Sequence, residues 1–305
     1  MSSDLINELA SVHLGKAGDG TVVKPYVTPE EVDPSLLVGV PRYLNRTQYK
    51  IDEHNLPFVG RDAWNAYEFS TLLTNGFPLS GWLKFVYPAD SEKIVESKSV
   101  KLYLNSYNMA SLIESEQEIF KIEDMISDHL SKVVLAPVDV IIEIGEVNTV
   151  PPIGGEYTSL EEYCDVENIE FNHYNESPDI LQIIPSNRRY ERWRSRSLRS
   201  NCRVTNQPDW GDVFIHIKGQ KTVTSESLLQ YIVSMRKENH FHEEVCECIY
   251  KRLWDLLNPD ELLVACLYTR RGGIDINPVR TSCEHLLAFA PVADPYTLAT
   301  KTSRQ

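Results

Sequence analysis

The order of residue periodicities in the C-terminal half constrains the fold of this chain more than any other feature. Arg192, Arg194 and Arg196 recur at every second position and predict a strand, and the alternating run 213–219 suits a second strand paired antiparallel to it. The predicted elements are strands over 188–199, 213–219 and 262–268, helices over 224–235 and 243–257, and a last strand after residue 273. The succession is therefore strand, strand, helix, helix, strand, strand.

The N-terminal half carries a weaker pattern of strands and helices. Alternating apolar residues predict strands over 64–69, 81–87, 100–105 and 138–144, and helical spacing predicts a helix over 114–133. Placing Trp64 on Trp210 without gaps sets Leu56 against Cys202. This faint echo predicts a duplicated module.

Changes in composition predict three parts of the chain. Residues 1–150 form an N-terminal module that begins with an extended arm punctuated by glycine and proline. Residues 151–185 form an acidic connection with short strands over 169–173 and 180–184. Residues 186–305 form the C-terminal module.

Net charge and the absence of targeting segments exclude several classes of protein. Thirty basic and 44 acidic residues give a formal charge of -14, so direct nucleic-acid binding is not expected. The chain lacks the pattern of a signal peptide and any run of roughly 18 apolar residues, so we expect a cytoplasmic protein without a membrane segment.

Cysteine usage indicates neither disulfides nor a metal. Six cysteines in 305 residues do not form a disulfide framework. Cys246 and Cys248 point to different faces of a predicted helix, so they are not a pair of metal ligands, and no metal is predicted.

One cysteine stands close in sequence to an acid. Cys202 precedes Asp209 by seven residues, and Pro208 comes directly before the acid. A thiolate of lowered pKa attacks electrophilic carbon, and a nearby carboxyl can move the proton. The alternative is that Cys202 is a small buried apolar side chain, which the residue taken alone favours.

A histidine and a glutamate begin the last predicted helix. Glu243 can accept hydrogen bonds from the N–H and amino groups of a heterocycle, and His242 can relay a proton or orient a substrate. The alternatives are a carboxylate that only stabilises the helix start and a partly buried histidine whose hydrogen bonds are satisfied.

Three cationic segments suit phosphate groups. The run 96–103 combines lysines with serine hydroxyls, and the loop 270–273 combines two arginines with two glycines. For each, the alternative is a surface charge cluster. The arginine-rich run 188–199 also suggests phosphate binding, although its period of two favours a solvated strand face. No Gly-x-Gly-x-x-Gly follows a strand, so a dinucleotide would bind without a Rossmann module.

Together these motifs resemble one family. In their order and spacing they are similar to the NADPH-dependent 7-cyano-7-deazaguanine reductases, the nitrile reductases of queuosine biosynthesis, in their two-module form. The motifs are Cys202 with Gln207-Pro208-Asp209-Trp210, Phe241-His242-Glu243, the run Glu96-Ser97-Lys98-Ser99-Val100-Lys101-Leu102-Tyr103, and the run from Tyr268 to Pro278.

The resemblance implies a fold and a reaction. The fold is α+β, with two tandem tunnelling-fold modules, each an antiparallel sheet with two helices on one face, and with sites where modules join in a homodimer. The reaction is the four-electron reduction of a deazapurine nitrile to an amine, with NADPH as co-substrate and no metal, in a pathway of tRNA modification.

The resemblance also implies a role for each candidate residue. Cys202 forms a covalent thioimide with the nitrile carbon, Asp209 donates the proton, and His242 takes part in catalysis. The substrate contacts Val95, Glu96, Ser97, His242 and Glu243. NADPH contacts Ser97, Lys98, Arg271 and Gly272.

Two other functions compete with this one. An amidinotransferase-like relative would form the same thioimide without NADPH, but Lys98, Arg270 and Arg271 argue against it. A non-catalytic tunnelling-fold protein would use the same pocket only to hold a purine or pterin.

Overall fold

The computed structural model describes residues 29–186 and 190–305. Its strands are β1 (Gly39–Pro41), β2 (Val59–Leu73), β3 (Pro78–Pro88), β4 (Lys93–Val95), β5 (Ser111–Ile113), β6 (Asp139–Ile144), β7 (Thr158–Ser159), β8 (Ile183–Pro185), β9 (Glu191–Cys202), β10 (Pro208–Lys218), β11 (Lys221–Val223), β12 (Asn239–His240), β13 (Glu261–Tyr268) and β14 (Ile274–Thr281). Its α-helices are α1 (Tyr43–Arg46), α2 (Ser97–Asn105), α3 (Phe120–Val134), α4 (Leu160–Tyr163), α5 (Ser225–Ser234) and α6 (His242–Leu257).

These elements belong to two compact units. The first unit comprises the described residues of 1–44, with 64–148 and 270–275. The second comprises residues 45–63, the described residues of 149–269, and 276–305. The division of the chain at residues 150 and 185 stays a prediction.

The second unit contains the succession of elements predicted from the C-terminal half. Strands β9, β10, β13 and β14 are antiparallel neighbours in that order. Helix α5 packs against β9, and α6 packs against β13. The predicted α+β class with an antiparallel sheet is therefore confirmed.

The two long helices of the second unit, α5 and α6, begin at capped positions. The Thr224 hydroxyl accepts a hydrogen bond from the Ser227 backbone N–H at 3.3 Å, which caps α5 as predicted. At the start of α6, Glu244 Oε2 accepts from the Phe241 backbone N–H at 3.2 Å. Val245 and Ile249 on α6 are fully buried. The caps thus fix where each helix starts, and α6 starts at His242.

The first unit contains strands and helices of its own. Strands β2, β3 and β6 are neighbours in that order, and β3 and β6 are antiparallel. Helix α3 packs against β6 and β4. The core includes Trp64 stacked on Phe85, with ring centroids 5.2 Å apart.

The predicted strand over 100–105 is wrong, because these residues belong to helix α2. Glu96 accepts a hydrogen bond from the Ser99 backbone N–H at 2.8 Å and so caps the helix. Val100, Tyr103 and Leu104 are buried at helical spacing. In so short a segment, Val100, Leu102 and Leu104 also alternate with other residues and so look like a strand.

Three further expectations differ from the structure. Residues 169–173 form no strand, and of the second predicted segment, 180–184, only Ile183 and Ile184 are extended, as part of β8. The echo that set Leu56 against Cys202 is also wrong. Trp64 lies on β2, the first strand of its hairpin, whereas Trp210 lies on β10, the second.

Some predicted features lie outside the described residues. These are the first 28 residues of the predicted arm and Arg188 and Arg189 of the arginine-rich run. In the part of the chain that is described, no helix combines the length and apolar composition needed to cross a bilayer.

Candidate active site

Cys202 is the last residue of β9 and forms the base of a tight turn. Its backbone N–H donates to the Gln207 carbonyl at 2.8 Å, and its carbonyl accepts from the Asn206 N–H at 2.9 Å. Asn206 has a φ of 56°, in the left-handed region that asparagine tolerates better than most residues. The thiol side chain is 9% exposed. The turn holds Cys202 at the point where the chain reverses into β10.

Asp209 lies on the returning strand. It is opposite Ser200 in the β9–β10 ladder, next to the pair formed by Pro208 and Asn201. The spacing of seven residues therefore corresponds to a hairpin, which brings the acid back beside the end of β9. The Asp209 carboxylate is 3% exposed.

His242 faces the same carboxylate from the first position of α6. Its Nε2 lies 3.4 Å from Asp209 Oδ2. The imidazole stacks on the Tyr268 ring, with centroids 3.8 Å apart and planes 8° from parallel. Among the described residues, its Nδ1 has no hydrogen-bond partner. One ring nitrogen is thus near a carboxylate while the other is available to a ligand.

Tyr268 is a member of the site that sequence reasoning did not assign a role. Burial raises the pKa of its phenol well above the ordinary value, so the ring stays neutral. It fixes the plane of His242 by stacking. The only signal in the sequence was its place at the start of the Tyr-Thr-Arg-Arg-Gly-Gly motif.

Glu243 follows His242 in the first turn of α6 and is 3% exposed. Helix starts favour carboxylates, and a buried carboxylate needs hydrogen-bond donors. The second unit therefore brings together four of the predicted residues: Cys202, Asp209, His242 and Glu243.

A charged network that sequence reasoning missed lies beside Cys202. His240 on β12 is opposite Cys202 in a short parallel ladder with β9. Its Nδ1 lies 3.0 Å from Glu244 Oε2, and its Nε2 lies 3.1 Å from Glu238 Oε2. Arg203, the residue after the cysteine, donates to Glu244 Oε2 at 2.8 Å. The turn that carries the thiol is thus tied to α6 and β12.

The two carboxylates keep His240 charged. Burial opposes the charged form, but hydrogen bonds to Glu238 and Glu244 outweigh it and raise the pKa of His240 to about 9. The same hydrogen bond from His240 lowers the pKa of Glu238 to about 2. Tyr49 adds a hydroxyl 2.8 Å from His240 Nε2.

The first unit holds the other predicted substrate residues. Val95 ends β4 and is buried, and Glu96, 2% exposed, caps α2 through Ser99. The Ser97 hydroxyl donates to Glu96 Oε1 at 3.5 Å, and Lys98 Nζ lies 3.8 Å from the same oxygen. The motif thus gathers a carboxylate, a hydroxyl and a cation at the start of one helix.

The loop after β13 reaches that helix within the first unit. Lys101 Nζ on α2 donates to the Gly272 carbonyl at 2.8 Å and to Glu68 Oε2 at 2.9 Å. Gly272 has a φ of 59°, and a Cβ there would lie 2.9 Å from Lys101 Cδ. The predicted cofactor residues Ser97, Lys98, Arg271 and Gly272 therefore belong to one unit, although 173 to 175 positions separate Ser97 and Lys98 from the loop.

The donor set in the first unit fits an anionic dinucleotide. Lys98 and Arg271 are cations, and a glycine pair lets the backbone approach a ligand closely. The Arg270 guanidinium lies 4.0 Å from the centroid of the Tyr67 ring, which orders a second cation in the same loop. Within the described residues, no cluster of three or more His, Cys, Asp or Glu side chains could hold a metal ion.

Family models match both ends of the chain. One, described as "Nitrile reductase, 7-cyano-7-deazaguanine-reductase N-term", matches residues 28–142. Another, described as "QueF-like protein", matches residues 208–286. The fold and these matches define the class as an α+β protein of the nitrile reductase type.

Curated relatives extend the match over most of the chain. A protein of Colwellia psychrerythraea named "NADPH-dependent 7-cyano-7-deazaguanine reductase" is 38% identical over 93% of this chain and 96% of its own length. A protein of the same name from Rickettsia canadensis is 40% identical over 83% and 89%. A solved structure of the archaeosine synthase QueF-Like in the apo form aligns with 32% of this chain and 95% of its own, at 18% identity and a TM-score of 0.30. The chain belongs to the family of NADPH-dependent 7-cyano-7-deazaguanine reductases.

Proposed function

We propose that this protein reduces the nitrile of 7-cyano-7-deazaguanine to the primary amine of 7-aminomethyl-7-deazaguanine, with NADPH, in queuosine biosynthesis. The observation that carries the proposal is identity of 38% over 93% of the chain to a relative named for that reaction. The hairpin that holds Cys202 beside Asp209 and His242 supports it independently.

Cys202 is the nucleophile in the proposed mechanism. A nitrile carbon accepts hydride poorly until a nucleophile converts the triple bond to a C=N. The sulfur of Cys202 bonds to the nitrile carbon as its S–H bond breaks, and this proton is relayed through Asp209 to the nitrile nitrogen, which gives a covalent thioimide. After one hydride reaches that carbon, the C–S bond breaks and leaves an imine and the free thiolate.

Asp209 supplies the proton in the first step. As the sulfur adds, negative charge develops on the nitrile nitrogen and requires a nearby acid. Asp209 is buried, at 3% exposure, and faces His242 Nε2 at 3.4 Å. His242 therefore orients the carboxyl group and can return a proton to it.

Two carboxylates bind the deazapurine. Its ring N–H and amino group form an edge of donors, for which Glu96 and Glu243 are suitable acceptors. Val95 and Ser97 flank the first carboxylate, and His242 flanks the second. We propose that both sets of residues act on the same substrate.

Ser97, Lys98, Arg271 and Gly272 hold the cofactor. When bound, NADPH supplies the two hydrides that the four-electron reduction requires. Lys98 and Arg271 neutralise its phosphates, and Gly272 lets the backbone approach them. The chain's own contribution is to bind and orient the cofactor and to protonate the nitrogen.

Mass spectrometry after mixing with the nitrile, without NADPH, tests the nucleophile. We expect an adduct of substrate mass on the peptide that carries Cys202. The Cys202→Ala variant should keep the fold but lose both adduct and turnover, because it lacks the sulfur that adds to the nitrile carbon. Cys283→Ala removes the one cysteine among the described residues that is not buried. It is the matched control and should form the adduct normally.

NADPH absorbance distinguishes this function from its alternatives. Loss of two NADPH for each nitrile is expected. Adduct formation without NADPH loss would instead support an amidinotransferase-like protein. Binding of a purine or pterin that Cys202→Ala leaves unchanged, with no turnover in the wild type, would support a non-catalytic binding protein.

The remaining features of the proposed function are the protein's location, its oligomeric state and its binding partners. We propose that the protein works in the cytoplasm as a homodimer and binds no nucleic acid directly. The formal charge of -14 supports the last point, because it opposes binding to phosphate backbones.

A further inference from the structure

The second unit contains a cavity that the proposed reaction does not use. Its volume is about 370 Å³, within the range of small-molecule sites. Cys202, Asp209, His242 and Glu243 do not line it. The lining residues are Pro152, Ile153, Gly155, Tyr157, Arg194, Ser195, Arg196, Asp212, Phe214, Lys301, Thr302 and Ser303.

The wall of this cavity is cationic in an acidic protein. Arg194 and Arg196 on β9 and Lys301 near the end of the chain contribute three positive charges. The single acidic lining residue, Asp212, is engaged by Arg304 at 2.6 Å. Arg196 Nη2 lies 3.9 Å from Glu162, but both side chains are more than half exposed, so this pair is weak. A cavity of this charge favours an anionic ligand.

One side of the cavity is aromatic. Tyr157 and Phe214 pack edge to face, with ring centroids 5.3 Å apart and planes at 83°. Phe214 is directly opposite Arg194 in the β9–β10 ladder. An aromatic surface is therefore held next to a guanidinium group, which suits a ligand that has both a planar ring and an anionic group.

Two hydroxyl groups at the cavity lack partners among the described residues. The Tyr157 hydroxyl and Thr302 Oγ1 are buried without a hydrogen bond. Burial raises the pKa of Tyr157 to about 12, so its hydroxyl is a neutral donor near pH 7. A buried polar group without a partner is costly, and a ligand atom would satisfy it.

We propose that this cavity binds a nucleoside 5′-monophosphate. The phosphate lies against Arg194 and Arg196, the base packs on Tyr157 and Phe214, and the sugar and base edges pair with the free hydroxyls. Arg194 and Arg196 precede Cys202 by eight and six residues on one strand, which is about 26 and 20 Å. The site is therefore distinct from the proposed nucleophile, and the inference does not rest on the proposed reaction.

Calorimetric titration of the full chain with GMP and AMP tests the proposal. We expect saturable binding of one nucleotide per chain, weakened by about 0.5 M salt because surface charges are then screened. Guanosine lacks the phosphate and inorganic phosphate lacks the ring, so both should bind at least about tenfold more weakly. Equal binding of guanosine and GMP, or no binding of either nucleotide, overturns the proposal.

Variants locate the site. The Arg194→Gln/Arg196→Gln double variant should weaken GMP binding by at least about tenfold, and Tyr157→Phe should weaken it less. Lys218→Gln is the matched control, because it removes a cation from the neighbouring strand without touching the cavity, and it should bind GMP normally. Normal GMP binding by the double variant contradicts the proposal.

The reductase assay separates this site from the cofactor site. The double variant should reduce the nitrile with an unchanged KM for NADPH. A raised KM for NADPH, or competition between GMP and NADPH, would assign the cavity to the cofactor and overturn the proposal. GMP binding in the absence of any nitrile reduction would leave the proposal standing while the proposed reaction fails.

Discussion

Each of the three side chains proposed to react in the second unit is positioned by a different local interaction. Hydrogen bonds across a turn hold the backbone of Cys202, the β9–β10 ladder sets Asp209 opposite Ser200, and a ring stack fixes His242. These restraints act on groups that are almost fully buried. Substitution of one reactive atom should therefore alter the chemistry more than the fold.

Replacing Asp209 with asparagine should slow the reduction by at least about 100-fold, because an amide cannot donate the proton that the nitrile nitrogen needs. Stopped-flow measurement of adduct formation and steady-state NADPH consumption would check this. Asp212→Asn removes a carboxylate from the same strand and should react at the wild-type rate. Near-native rates for Asp209→Asn would remove this residue from the mechanism.

Among the elements, the two-residue strand β12 links strand β9 to helix α6. Through His240 it faces Cys202 on β9, and through Glu244 it is joined to helix α6. Glu238 completes the ion pair from the other side. The mutual orientation of β9 and the start of α6 thus depends on a buried charged histidine.

The stability of the protein should fall as the pH rises from about 7 to 10. The pKa of His240 is about 9 in the folded protein and near 6.5 when unfolded, so its contribution is complete below about 6.5 and lost as the pH passes 9. The contribution is roughly 3 kcal/mol. Thermal melts across this range should show the fall in the wild type.

The His240→Gln variant provides the comparison for this pH effect. It should be less stable than the wild type at pH 6 and should approach it at pH 10, since only the wild type loses a charged imidazole. Glu238 acts in the opposite direction, because its pKa of about 2 means that its stabilisation disappears only in acid. A difference in melting temperature between the two proteins that stays the same at all pH values would contradict this role for His240.

At the scale of the whole molecule, the strongest expectation is the oligomeric state. We expect a homodimer, as the resemblance to the two-module nitrile reductases implies. Sedimentation equilibrium of the full chain should give twice the chain's mass at micromolar concentration. A monomer at that concentration that still reduces the nitrile would rule out a required dimer.

Long, regular segments could be predicted from the sequence, and short or capped ones could not. The alternating arginines predicted β9 correctly, since a strand of 12 residues repeats its period several times. The run over 100–105 was misread as a strand, because six residues do not distinguish the two periods. The cap at Glu96, which decides in favour of a helix, depends on one side-chain hydrogen bond.

The candidate site also contains residues that the sequence predicted and residues that only the structure revealed. Family motifs named Cys202, Asp209 and His242, and the residue types alone explain what such groups can do. They did not reveal Tyr268 as the ring beneath His242 or His240 as the neighbour of Cys202. Those relations arise between residues distant in sequence, which no local pattern records.

The sequence by itself determined the order of the main strands and helices of the second unit and the family, and it supplied the proposed reactive groups, because periodicity and motifs are local properties. Only the tertiary structure decided that Lys101 meets Gly272 across 171 positions. It also decided that Arg194 and Arg196 line a cavity with Tyr157. Both results depend on strand register and on where the chain reverses. Many weak contacts between distant segments set these features, and no single segment encodes them.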